Sequence, residues 1–278
     1  MSNIAFIKMH GAGNDYVFID GFVAPVPHFP EQLARTVSNR NFGVGADGLI
    51  VMLPVDHADV EMRMWNADGS EGAMCGNGVR CVALWMHLRN RVSGICRIQT
   101  ASGMVTVSTA ELDRDGGGGV FCVDMGQPHA ATDSELLPGV RLPGVDSDLE
   151  FTAVSLGNPH AVVFVDKLTD RVVRHVGHQV EHHSRFPDRT NVEWTQVVSP
   201  TELTVRVWER GSGETLACGT GACAAGIVAV QRGYCSADRE TIVNLPGGRL
   251  QVCTDDAGRV RLTGPAEVSF TGTLPGRA

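Results

Sequence analysis

The sequence predicts an α+β protein of two pseudo-symmetric domains, each a sheet wrapped around one principal helix. Three observations carry this. The phrase Cys-Gly-x-Gly occurs at Cys75-Gly76-Asn77-Gly78 and again at Cys218-Gly219-Thr220-Gly221, 143 positions later in a chain of 278. Each copy follows a tryptophan by ten residues (Trp65, Trp208) and runs into a small, apolar, helix-like stretch, VRCVALWMHL or ACAAGIVAV. Elsewhere each half consists mainly of strand-like runs between glycine-rich turns. The repeat also extends outward. Arg63 and Arg206 stand two places before the tryptophans, and Gly13-Asn14 recurs as Gly157-Asn158. A duplication of this kind can present the same group to a ligand from both sides.

The elements follow in order. IAFIKMH alternates as a strand and ends at Gly11-Ala12-Gly13-Asn14-Asp15, a turn, after which YVFID resumes a strand. Residues 30–39, PEQLARTVSN, open with proline and space their apolar residues as a helix. GLIVML and VEMRMW read as strands and lead through NADGSEGAM to the first cysteine helix. Residues 95–110 read as a strand pair turning at Ser102-Gly103. The glycine run after Asp113 marks the boundary, so the expected domains are 1–116 and 117–263, with the tail 264–278 able to pack back on the first. In the second half VFCVDM, AVSLGNPHAVVFVD, NVEWTQVV and LTVRVWE read as strands ahead of the second cysteine helix.

Composition narrows the function classes. With 43% hydrophobic and 19% charged residues the chain reads as a globular protein with real cores. Its net charge of −8 and unclustered cations argue against a nucleic-acid partner. The apolar runs fall far short of the ~20 residues a membrane helix needs. MSNIAFIKMHG has neither the basic start nor the apolar run of a signal peptide. The expectation is a cytoplasmic protein that avoids membranes and keeps its eight cysteines mostly reduced. Lys8 and Lys167 are the only lysines, against twenty-one arginines. A pyridoxal phosphate enzyme would have to use one of those two, and neither lies in a phosphate-cradling context.

A cysteine at a helix start is favoured as thiolate, because unsatisfied N–H groups and the helix dipole stabilise negative charge. The glycines that follow let those N–H groups approach a ligand anion closely. Two such starts directed at one ligand would hold a carboxylate and place a sulfur on each side of the adjacent carbon. A single Cys-Gly-x-Gly is more simply a glycine turn before a packed cysteine; the second copy, in register with its tryptophan, argues against that. Cys81, Cys96, Cys122, Cys223, Cys235 and Cys253 read as packing residues, and no zinc site is expected. His175, His178, His182 and His183, beside Glu181, read as a solvated helix face.

MHGAGNDY, NADGSEGAMCGNGVRC, SLGNPHAVVFVD and RVWERGSGETLACGTGACA resemble the signature segments of the diaminopimelate epimerases, in that family's order and spacing, over roughly residues 4–225. The resemblance implies a cofactor-independent isomerase that inverts one α-carbon of LL-diaminopimelate to give the meso isomer, with its active site in the cleft between two domains. Cys75 and Cys218 become the acid/base pair, with His160 and Glu209 tuning their protonation. The backbone of Gly76-Asn77 and Gly219-Thr220 would hold the reacting carboxylate. Asn14, Asn66, Asn158, Asn191, Glu209 and Arg210 match the residues that read the substrate's polar groups. On their own, asparagines such as Asn66 and Asn158 are equally explained as turn residues. No cofactor or metal is implied, and a homodimer is compatible with the sequence. Two positions depart from the pattern. Gly48 stands where some members carry a substrate-contacting glutamine, and Tyr16 replaces a commoner phenylalanine with no functional effect expected. The alternatives are a proline racemase-like enzyme, which typically carries Cys-Gly-His, a racemase of another amino acid, and a thiol switch governed by oxidation state.

Overall fold

The computed structural model describes residues 3–23, 28–128, 140–142, 145 and 149–275. The chain divides into two compact units, Met1–Val123 with Gly264–Ala278, and Asp124–Thr263.

In the first unit, β1 (Ile4–Gly11) turns back into antiparallel β2 (Asn14–Asp20). Helix α1 (Pro30–Ser38), with proline in its first turn, crosses to β3 (Gly48–Leu53), which runs parallel to β2. β4 (Val60–Asn66) is antiparallel to β3, and short β5 (Glu71–Gly72) folds back on it. Helix α2 (Gly76–Leu88) makes a second crossover, to β6 (Ile95–Thr100), parallel to β4. β7 (Gly103–Leu112) and β8 (Gly118–Gly126) follow antiparallel.

The second unit repeats this order. After β9 (Val140–Arg141) come antiparallel β10 (Glu150–Ser155) and β11 (Pro159–Phe164). A π-helical turn, Arg171–Val176, and α3 (Gly177–Glu181) cross to β12 (Asn191–Ser199), parallel to β11. β13 (Glu202–Glu209) is antiparallel to β12 and carries short β14 (Gly213–Thr215). Helix α4 (Gly219–Gln231) crosses to β15 (Thr241–Leu245), parallel to β13, and β16 (Gly248–Thr254) and β17 (Val260–Leu274) continue antiparallel. The far end of β17 pairs with β1, and β17 also pairs with β8, so the first unit's sheet closes on itself. The duplication seen in two short phrases is therefore a duplication of the whole strand order, including the same two parallel crossovers.

Each sheet encloses its cysteine helix. Ten of the thirteen residues are buried in α2 and ten of thirteen in α4, which a helix resting on one face would not show. α4 is built largely from Gly, Ala and Val, so the sheet approaches closely; a Cβ on Gly226 would lie 3.0 Å from Val252 Cγ1. Larger residues fill the space around α2, where Val79, Val82 and Leu84 are wholly buried.

The glycines at 116–119 form the turn and start of β8 inside the first unit, and the division between units falls further along that strand. The histidine segment is one π-helical turn followed by a short α-helix. His178 and His182 stack at 4.4 Å on its exposed side. Glu181 instead turns inward, accepting hydrogen bonds from Trp208 Nε1 at 2.7 Å and Gly211 N at 2.9 Å.

Because α2 is enclosed, truncating it should leave a void. Leu84→Ala is expected to cost roughly 2–5 kcal/mol, read as a lower urea midpoint. A change within error of the parent would contradict the enclosed-helix packing.

Candidate active site

The first site grows from the turn between β1 and β2. Gly13, at φ 79°, takes a left-handed conformation that brings Asn14 to the start of β2. Asn14 Nδ2 donates to Asp47 Oδ2 at 2.7 Å, which fixes the orientation of the amide. Its Oδ1 then accepts from Asn77 Nδ2 at 3.1 Å and from the Cys75 thiol at 3.3 Å. Asn77 is oriented in turn by Arg80, whose Nη2 donates to Asn77 Oδ1 at 2.7 Å while its Nη1 reaches Gly76 O at 3.2 Å. Cys75 caps α2: its backbone is extended and its sulfur accepts the Gly78 N–H at 3.4 Å.

Behind Asn14 lies a charged network. Lys8, buried, meets the Asp15 carboxylate and the Gly45 carbonyl, and Arg40 reaches both Asp15 (2.7 Å) and Asp47 (2.9 Å). Burial raises the Asp15 carboxyl, but hydrogen bonds from Arg40 and Lys8 outweigh it and hold the group below the usual range. Burial leaves neighbouring Asp47 raised. Tyr16 shares this pocket. Its phenol is pushed well up by burial and by a hydrogen-bonded neighbour, Cys75. A Cβ at Gly48 would lie 2.2 Å from the Trp65 carbonyl oxygen and 2.9 Å from Tyr16 Cε1.

The second site has the same frame and different partners. Gly157, at φ 91°, delivers Asn158 just before β11. Asn158 Nδ2 lies 3.3 Å from Thr220 Oγ1, and its Oδ1 lies 3.0 Å from His160 Nε2. His160 Nδ1 is 2.7 Å from Glu193 Oε1, and both side chains are fully buried. Cys218 caps α4 as Cys75 caps α2, its sulfur accepting the Gly221 N–H at 3.4 Å with Thr220 Oγ1 also at 3.4 Å. Burial pushes the Cys218 thiol well up, and Glu209 pushes it further. The hydrogen bonds from Thr220 and Gly221 pull the other way without overcoming this. The helix-start argument for a thiolate is thus outweighed here by burial beside Glu209.

The structure gathers Asn14, Cys75, Gly76 and Asn77 into one cluster, and Asn158, His160, Cys218, Gly219 and Thr220 into another. Asn191 links the second cluster to Arg210: its Nδ2 donates to Pro159 O at 2.9 Å and its Oδ1 accepts the Arg210 backbone N–H at 2.9 Å. The exposed Arg210 side chain reaches Asp188 O at 3.2 Å. Glu209 accepts from the Thr215 hydroxyl and acts on Cys218 through space. Asn66 stands apart among the described contacts, exposed and bonded to Ser70 Oγ at 3.0 Å in its own turn. Sequence reasoning missed Glu193, Asp47 and Arg80. Glu193 stands in NVEW, which reads only as a strand; the 143-position offset sets it opposite Ile50, an apolar residue, and that mismatch is the signal that could have found it.

The family model described as diaminopimelate epimerase matches residues 6–131 and 152–269. A diaminopimelate epimerase from Desulfitobacterium hafniense is 46% identical, covering 96% of this chain and 97% of its own. One from Moorella thermoacetica is 43% identical, covering 97% and 99%. Among solved structures, a hydroxyproline epimerase from Agrobacterium vitis superposes with a TM-score of 0.68 at 16% identity, over 99% of this chain and 91% of that one. A PhzF-family phenazine biosynthesis protein from Bacillus anthracis gives 0.69 at 16%, over 99% and 100%; at such identities the likeness speaks for the fold. With a family-model match over most of the chain and relatives above 40% identity, the chain belongs to the diaminopimelate epimerase family.

Proposed function

We propose that the protein interconverts LL- and meso-diaminopimelate by a two-cysteine acid/base mechanism that needs no cofactor. The observation that carries this is the pair of equivalent helix starts, each with a cysteine sulfur at its cap and glycine three residues on. In this reading the two sulfurs stand on opposite faces of one α-carbon. A thiolate takes the α-proton, the C–H electron pair moves into the adjacent carboxylate, and the other thiol returns a proton from the far side. An α-proton is a very weak acid, so the developing charge needs donors already in place. The N–H groups of Gly76, Asn77, Gly219 and Thr220 stand in the first turns of α2 and α4, where the helix dipole favours negative charge.

Several features support the division of labour. The Cys218 thiol, pushed up by burial, is suited to giving its proton, and Thr220 and Gly221 are placed to receive the sulfur charge that results. Glu209, Arg210, Asn14, Asn66, Asn158 and Asn191 read the ammonium and carboxylate groups of the substrate. Arg210 suits a bidentate carboxylate contact and Glu209 an ammonium. Lys8 is held by Asp15 and the Gly45 carbonyl, which speaks against its use as a Schiff-base amine. The reaction belongs to the cytoplasmic route to lysine and peptidoglycan.

Incubation with LL-diaminopimelate in D2O, with no cofactor added, should place deuterium at one α-carbon. Exchange with proline in its place would reassign the substrate, and no exchange with any amino acid would refute the mechanism. Cys75→Ala and Cys218→Ala should each lower epimerisation by at least about 10²-fold, the lower end for loss of a general acid or base. Near-normal turnover by either variant would contradict the pairing.

A further inference from the structure

We propose that Glu193 is a positioning residue that, through His160 and Asn158, turns the Thr220 hydroxyl hydrogen onto the Cys218 sulfur. The inference rests on Cys218 being one of the two acid/base groups. The four contacts form a continuous chain from Glu193 Oε1 to His160 Nδ1 (2.7 Å), from His160 Nε2 to Asn158 Oδ1 (3.0 Å), from Asn158 Nδ2 to Thr220 Oγ1 (3.3 Å) and from Thr220 Oγ1 to Cys218 Sγ (3.4 Å). An amide offers acceptors on one side and donors on the other, so fixing one end of such a chain fixes the other.

Glu193 sets that direction. Its side chain is fully buried, and its second oxygen, Oε2, is buried without a hydrogen-bond partner. A carboxylate left in that position would carry a charge on an unsatisfied oxygen, which is costly; a carboxylic acid leaves only a carbonyl. Burial raises the Glu193 carboxyl, and His160 and the backbone N–H groups of Glu193 and Ala161 lower it without overcoming this. The acid O–H therefore donates to His160 Nδ1, and the neutral imidazole keeps its proton on Nε2. That N–H donates to Asn158 Oδ1, and Asn158 Nδ2 donates to Thr220. The Thr220 oxygen is then occupied as an acceptor, and its own hydrogen is left for Cys218. With the Gly221 N–H, the sulfur gains two donors, both of which strengthen when Cys218 gives up its proton. Gly221 allows the two groups to meet at one helix start: a Cβ there would lie 2.9 Å from Glu193 Oε1 and 3.3 Å from Cys218 Sγ. The first unit has Ile50 at the equivalent place, where a Cβ on Gly78 would meet its Cδ1, so this chain belongs to one cysteine alone.

The test reads the imidazole directly. In 15N-labelled protein, with His160→Gln used to assign the resonance, His160 should appear as the neutral Nε2–H tautomer at neutral pH. Glu193→Gln presents an amide N–H in place of the acid O–H, and should keep both the tautomer and kcat within about threefold. Glu193→Ala should lose the single tautomer and lower kcat by roughly ten- to hundredfold, the value of one hydrogen bond to a charged group. Adding Thr220→Val to Glu193→Ala should cost no more than Thr220→Val alone. An Nδ1–H tautomer or an imidazolium in the parent protein would overturn the proposal, since either reverses or breaks the chain. So would a Glu193→Gln variant as impaired as Glu193→Ala, or additive losses in the double variant. The tautomer is measured without turnover, so failure of the two-cysteine mechanism would show separately, as absent α-proton exchange in the parent.

Discussion

A sulfur that accepts the backbone N–H three residues on is the constraint around which each half of this protein is arranged. Cys75 accepts from Gly78 and Cys218 from Gly221, both at 3.4 Å. The arrangement ties three things together. The cysteine must leave the strand with an extended backbone, the helix must begin at the very next residue, and the third residue must be glycine. A side chain at Gly78 would strike Ile50, and one at Gly221 would strike Glu193. The helix then has to be enclosed, because most of its residues are apolar and buried. The closed run of strands around α2, and its counterpart around α4, follow from that burial.

On this common frame the two halves place different chemistry at equivalent positions. Tyr16 and His160 occupy the same place in equivalent strands of the two units, paired in parallel register with Gly48 and Asn191 respectively. Two residues further on stand Ile50 and Glu193. In the first unit, Arg80 and Asp47 hold Asn77 and Asn14 so that an amide oxygen faces Cys75. In the second, an oxygen of Asn158 faces His160 and its nitrogen faces Thr220. Asn14 therefore bonds its thiol directly, and Asn158 meets Cys218 only through a hydroxyl. Equivalent asparagines after equivalent glycines have been given different tasks by their neighbours.

Much of this was legible in the sequence, for a physical reason. Cys-Gly-x-Gly, the tryptophans and Gly-Asn are local phrases whose residue types are restricted by backbone conformation, so they survive as readable text. The strand order follows because each phrase marks a crossover. The family resemblance carried the two cysteines and the asparagines further than spacing could. Glu193 was not legible, since a glutamate in NVEW announces nothing until the sheet sets it beside His160, thirty-three positions away. Tyr16 looked like a neutral replacement for phenylalanine. Only the fold shows that its ring packs beside Gly48 and that its hydroxyl meets Cys75. Helix-start electrostatics were read correctly in sign and overestimated in weight. At Cys218 the two donors of the first turn act as expected, yet burial beside Glu209 prevails.

That balance bears on how a symmetric frame can serve an asymmetric task. A helix start alone would bias both cysteines toward thiolate, and two thiolates could not supply a proton to the carbon. In the proposed reaction one group gives while the other takes. Burial beside Glu209 favours the proton on Cys218, while Thr220 and Gly221 ensure that losing it is not prohibitive. A buried thiol without those donors would hold its proton too firmly, and an exposed one without a carboxylate neighbour would part with it too early. The residues that differ between the repeats are thus the ones that make the duplicated cysteines usable together.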